Sequence, residues 1–169
     1  AAEIVLAVEE IGAGAEHRVA TVGRVETPGG AVNVVAGRAR LSLDVRSPSD
    51  EDRAQAMAEI RDSIARIAER RRVEATLTVT YDMPAAPCDP RLMGAFEAAM
   101  AKLGHAPCRL PSGAGHDAMA FRGRIPMAML FVRCRGGVSH RPDEFATPED
   151  VAAALAALEI AIMQIGAHQ

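Results

Sequence analysis

Leu110 to Glu144 reads LPSGAGHDAMAFRGRIPMAMLFVRCRGGVSHRPDE. Its middle, Met127 to Val132, is a continuous apolar run of strand length, the pattern of a strand covered on both faces. A glycine-rich turn carrying His116 and Asp117 precedes the run, and Gly136, Gly137, Ser139, His140 and Glu144 follow it. Glycine lets a backbone turn sharply or approach a ligand closely. The pattern predicts one core strand of an α/β unit, with titratable side chains delivered to its two ends.

Working outward, a helix is predicted on each side of this stretch. Pro84, Pro87 and Pro90 punctuate a boundary, Asp89 is a natural N-cap, and Pro90 suits the first helical position. Leu92, Phe96, Met100 and Leu103 then share one face until Gly104. Thr147 caps the final helix, with Pro148, Glu149 and Asp150 in its first turn. Val151, Leu155, Leu158, Ile162 and Ile165 are predicted to form its buried stripe, ending at Gly166. Helix, strand, helix is one edge of an α/β domain.

The first half follows a different rhythm. An opening helix with Ile4, Val8 and Ile11 on one face runs to Gly12, without a capping residue before it. That start leads to the expectation that the sequence is the C-terminal piece of a longer chain. His17 to Glu26 reads as a strand closed by the Pro28-Gly29-Gly30 turn. From Arg38 to Arg46, Ala39, Leu41, Leu43 and Val45 point one way, and Arg38, Arg40, Ser42, Asp44 and Arg46 the other. Ser49 or Asp50 can cap a second helix bearing Met57, Ile60, Ile64 and Ile67. Val73 to Tyr81 alternates again and is predicted as a third strand. Helix–strand–strand–helix–strand describes an antiparallel sheet covered on one face by two helices.

Composition narrows the function. With 19 basic and 22 acidic residues in 169 and no dense basic run, nucleic acid is not an expected partner. No apolar run reaches the ~18 residues that span a bilayer. The odd number of cysteines, Cys88, Cys108 and Cys134, argues against a disulfide framework and for thiols in a reducing cytoplasm.

PSGAGHDAM, with MLFV and GGVSHRPDE following, resembles the hydantoinase/carbamoylase branch of the aminoacylase–carboxypeptidase metallohydrolases. That branch includes N-carbamoyl-L-amino acid hydrolases, allantoate amidohydrolases and beta-ureidopropionases. TVGRVE, AVNVV and LSLDVRSP resemble the smaller lid domain of the same family, in the same order. The resemblance implies an α+β, ferredoxin-like lid lacking its first strand over residues 1–83. It implies the C-terminal part of an α/β metallohydrolase catalytic domain over residues 84–169.

The same resemblance implies roles for particular residues. Read from the residues alone, His140 either hydrogen-bonds a loop or binds a metal. The resemblance makes it the last metal ligand, for which neutral imidazole suits zinc, manganese or cobalt. Asp143 and Glu144 either orient His140 or form a solvated acidic turn. Arg46 lies on a polar strand face, where a solvated charge is the ordinary outcome. By resemblance, its fork grips a substrate carboxylate with help from Asn33. Gly113, Ala114, Gly115 and His116 are expected to meet the substrate as a group, although Asp117 could equally serve only its own turn. Gly137-Val138-Ser139-His140 lacks the last glycine of a serine-hydrolase elbow, so that chemistry is set aside. His17, His105 and His168 are given no role.

The implied whole enzyme hydrolyses a carbamoyl or ureido C–N bond of a small carboxylate-bearing substrate, and is a homodimer joined through the lid. Two divalent metals would polarise the carbonyl and supply hydroxide. The general-base glutamate and the other ligands belong to upstream sequence, so this chain carries no catalytic residue of its own. It is expected to bind no metal and to be inert alone. The rival reading is a non-catalytic, lid-like oligomerisation module; upstream histidine, aspartate and glutamate ligands would discriminate the two.

Overall fold

The computed structural model describes residues 1–167. The chain divides into two compact units, Ala1–Ala85 with Pro111–Gly115, and Ala86–Leu110 with His116–Gln169.

The first unit contains helix α1 (Ala2–Ala13), strands β1 (Val19–Glu26) and β2 (Arg40–Arg46), and helix α2 (Asp50–Arg71). β1 and β2 pair antiparallel, from Val19 opposite Arg46 to Glu26 opposite Arg40. One extra β1 residue between Thr21 and Arg24 makes a bulge, at Val22 and Gly23. In β2, Leu41, Leu43 and Val45 turn partly inward and Arg40, Ser42, Asp44 and Arg46 outward, as the alternation predicts. α1 packs on β1 and on α2, and α2 also meets β2. Val8, Ala56, Ile60 and Ile67 are the buried apolar side chains of this unit among the described residues. Gly12 lets α1 approach β1 closely, since a Cβ there would lie 3.1 Å from both the Ala20 Cβ and the Ala20 backbone nitrogen, tighter than ordinary contact.

Local chemistry sets the ends of α2. The Ser49 side chain accepts the Asp52 N–H at 3.2 Å, and Asp50, Glu51 and Asp52 place negative charge in the first turn. At the other end Arg72 adopts a left-handed conformation, with φ of 54°, and the Val73 N–H returns to the Ala68 carbonyl at 3.0 Å. That is a Schellman closure.

The second unit holds α3 (Pro90–Lys102), two 3-10 turns (Asp117–Phe121 and Arg135–Gly137), and α4 (Pro148–Gly166). Asp89 caps α3 by accepting the Arg91 and Leu92 N–H groups at 2.9 and 3.1 Å. Thr147 caps α4 by accepting the Asp150 N–H at 3.1 Å. The two helices meet through Ala99, Ala157 and Ala161, with Phe96, Met100, Leu103 and Leu130 packed around them.

Three sequence expectations are corrected. Met127–Val132 forms no ladder, and neither does Val73–Tyr81; the only sheet among the described residues is β1 with β2. Alternation or continuous hydrophobicity fixes which side chains share a face, but a strand also needs a neighbouring edge to pair with. Neither segment has one among the described residues. The α4 stripe predicted to be buried is exposed at Val151, Leu155, Leu158 and Ile162, and only Ile165 is half-buried. α4 packs instead through its small residues, since Ala157 and Ala161 let α3 approach closely.

Candidate functional site

Period-two geometry places residues two apart on the same face of a strand, so Asp44 and Arg46 stand side by side on the exposed face of β2. Arg46 donates from Nε and Nη2 to the two Asp44 carboxylate oxygens, at 2.8 and 2.7 Å. Nη1 donates to the Gly113 carbonyl at 2.7 Å. Hydrogen bonding from Arg46 holds the Asp44 carboxyl below its ordinary range, and the same pairing raises Arg46 further. The pair is half exposed, with 51% and 52% of the two side chains accessible. The structure thus brings together two residues expected at the site, Arg46 and Gly113. It adds a third, Asp44, which the sequence reading did not assign. An acidic residue two positions before the arginine in a strand was the available signal.

The glycine turn is braced from within. Ser112 Oγ accepts the Ala114 N–H at 3.2 Å and donates to the Ala114 carbonyl at 3.3 Å. Gly113, Ala114 and Gly115 fall in the first unit, whereas His116 begins the next segment of the second. His116 caps the 3-10 turn, its carbonyl accepting the Met119 N–H at 2.9 Å. Asn33 is exposed in the turn closed by the Val34 N–H and the Ala31 carbonyl, at 3.2 Å.

His140 sits in a tight loop. Gly136, Gly137 and His140 all have positive φ, at 65°, 67° and 58°. For histidine that conformation is uncommon and needs local support. Glu144 supplies it by accepting the His140 backbone N–H at 2.7 Å, not a ring nitrogen. Asp143 is paired with Arg141 at 3.0 Å. The His140 ring is instead held by Ser139, whose Oγ lies 2.8 Å from Nδ1. If Nδ1 carries the proton, Ser139 accepts its hydrogen bond and the lone pair is left on Nε2, the tautomer a metal-binding imidazole needs. Among the described residues no group of three or more histidine, cysteine, aspartate or glutamate side chains gathers where an ion could be held. Cys88, Cys108 and Cys134 are unpaired thiols. No helix among the described residues is long and apolar enough to cross a membrane.

A family model described as peptidase family M20/M25/M40 matches residues 4–164. The chain belongs to that family. It is 34% identical over 165 residues to an N-carbamoyl-L-amino acid amidohydrolase of Geobacillus stearothermophilus, covering 98% of this chain and 40% of that protein. It is 36% identical over 154 residues to allantoate deiminase of Arabidopsis thaliana, covering 86% of this chain and 29% of that one. A crystal structure of a hydantoinase/carbamoylase family amidase from Burkholderia multivorans superposes with a TM-score of 0.86 at 36% identity. That superposition covers 96% of this chain and 40% of the amidase. This M20/M25/M40 chain therefore spans two fifths or less of the length of these relatives.

Proposed function

We propose that this chain is the carboxylate-binding part of a longer hydrolase that cleaves a carbamoyl or ureido C–N bond in a small acid. The observation that carries the reading is the Arg46 fork, fixed at the exposed end of β2 and tied to the Gly113 loop. The names of the relatives support the substrate class, since they act on N-carbamoyl amino acids and allantoate.

In this reading residues 1–83 are a ferredoxin-like lid through which two copies pair, and residues 84–169 are the C-terminal edge of a catalytic domain. Arg46 and Asn33 bind the substrate carboxylate. Gly113, Ala114, Gly115 and His116 line the path of the substrate, which is a small molecule; the enzyme works in the cytoplasm. His140 donates one nitrogen, through Nε2, to a divalent ion such as zinc, manganese or cobalt. A catalytic site of that kind takes about three protein ligands. The residues present do not make one alone, so what this chain contributes is binding and orientation. Arg46 anchors the acid end and thereby sets where the scissile bond lies.

Arg46→Lys in the longer enzyme keeps the charge and loses the fork. A charge-assisted hydrogen bond contributes about 1.5–3 kcal/mol, so kcat/KM for an N-carbamoyl amino acid should fall about 10- to 150-fold. Unchanged KM and kcat in that variant would end the reading.

A further inference from the structure

The fork of Arg46 is already gripped from one side. A guanidinium has five N–H donors. Three are committed, Nε and Nη2 to Asp44 and Nη1 to the Gly113 carbonyl. Two remain, one on each Nη nitrogen. Because Asp44 takes the edge formed by Nε and Nη2, the remaining Nη2 hydrogen points along the other edge, the one shared with Nη1. Asp44 therefore occupies the fork without closing it.

We infer that Asp44 is a positioning residue for the carboxylate site: it clamps the guanidinium by its side-on edge and so presents the two remaining Nη hydrogens, that of Nη2 on the end-on edge, to the ligand. The inference rests on the proposed role of Arg46 and assigns a new residue to the same site. Its basis is geometric. An arginine on a strand end has four rotatable side-chain bonds, and a surface guanidinium normally samples many directions. Two parallel bonds to Asp44 and a third to a backbone carbonyl leave it one plane and one heading. Asp44 stays ionised over the neutral range, because the hydrogen bonds from Arg46 hold its carboxyl low. Both side chains are open enough for a solute to reach them. Preorganisation of this kind lowers the ordering cost when the ligand arrives.

The alternative role for Asp44 is that of a competitor, an internal carboxylate that the substrate must displace. The two roles predict opposite signs. Asp44→Asn is isosteric, but its amide NH2 cannot accept, so one of the two parallel bonds is lost whichever way the amide turns. If Asp44 positions Arg46, KM of the longer enzyme for an N-carbamoyl amino acid should rise about tenfold, a larger effect than that on kcat. Asp44→Glu should recover part of the loss, because it restores an acceptor pair. In the 169-residue chain itself, the Arg46 Nε–H signal in a 15N NMR spectrum should exchange slowly in the parent and rapidly in Asp44→Asn. A KM that falls or stays the same in a folded Asp44→Asn enzyme overturns the inference, as does an Nε–H signal indifferent to the substitution. Arg46→Lys separates the two levels. If it too leaves KM and kcat unchanged, the carboxylate reading fails; if it lowers kcat/KM while Asp44→Asn leaves KM unchanged, only the role of Asp44 fails.

Discussion

Arg18 keeps only 6% of its side chain exposed, yet it is surrounded by acceptors. Nε donates to Asp52 at 3.0 Å, Nη2 also reaches Asp52, Nη1 donates to the Ile11 carbonyl at 3.1 Å, and Glu59 lies 3.7 Å away. One guanidinium thus joins the last turn of α1 to the first turns of α2. The hydrogen bond from Arg18 holds the Asp52 carboxyl below its ordinary value of 3.8, with a smaller contribution from Ser47. A depressed carboxylate stabilises the fold above its unfolded value, and that stabilisation is lost as pH falls through the folded one. Denaturant midpoints should therefore drop as pH goes from 6 to 3. Asp52→Asn should lower the midpoint at pH 6 and flatten this acid limb, because the group that protonates is gone. A limb equally steep in Asp52→Asn would assign the acid sensitivity to other carboxylates.

At the scale of elements, helix ends were legible and partners were not. Ser49, Asp89 and Thr147 each accept the N–H that their sequence positions predict, because a cap is a contact within a few residues. The alternation of β2 was equally plain. Val73–Tyr81 and Met127–Val132 read as strands from their apolar patterns, but most of their large apolar side chains are exposed in this chain, and pairing depends on an edge elsewhere that no local pattern encodes. The α4 stripe failed for the same reason, since amphipathicity names a face and not what covers it. The site divides likewise. Arg46 and Gly113 were each legible as candidates, but neither their contact nor the Asp44 pairing follows from the sequence pattern without the strand geometry. Two substitutions test the corrected burial. Ile60, 1% exposed between α1 and α2, should cost about 2–5 kcal/mol when replaced by alanine. Leu155, 61% exposed on α4, should change stability in this chain by less than about 0.5 kcal/mol. Urea midpoints of the two variants check both; a large loss at Leu155 would restore the buried stripe.

The whole molecule is defined as much by open apolar surface as by its cores. In the second unit the buried apolar side chains among the described residues are three alanines, while Phe131, Val132, Leu155, Ile162 and Met163 are exposed. Single exposed apolar residues are ordinary, but several along one helix and the segment beside it call for a covering surface. The proposed function supplies one in the rest of a longer protein, consistent with relatives of which this chain covers 40% or less. Everything claimed for Arg46, Asp44 and His140 meets in one measurement, a crystal structure of the longer enzyme with a non-hydrolysable ureido acid. The account predicts the ligand carboxylate on the Arg46 Nη nitrogens at about 2.7–2.9 Å, with Asp44 still on the Nε side. It also predicts His140 Nε2 about 2.0–2.1 Å from a zinc-sized ion. A carboxylate seated away from Arg46, with His140 bound to no metal, would contradict it.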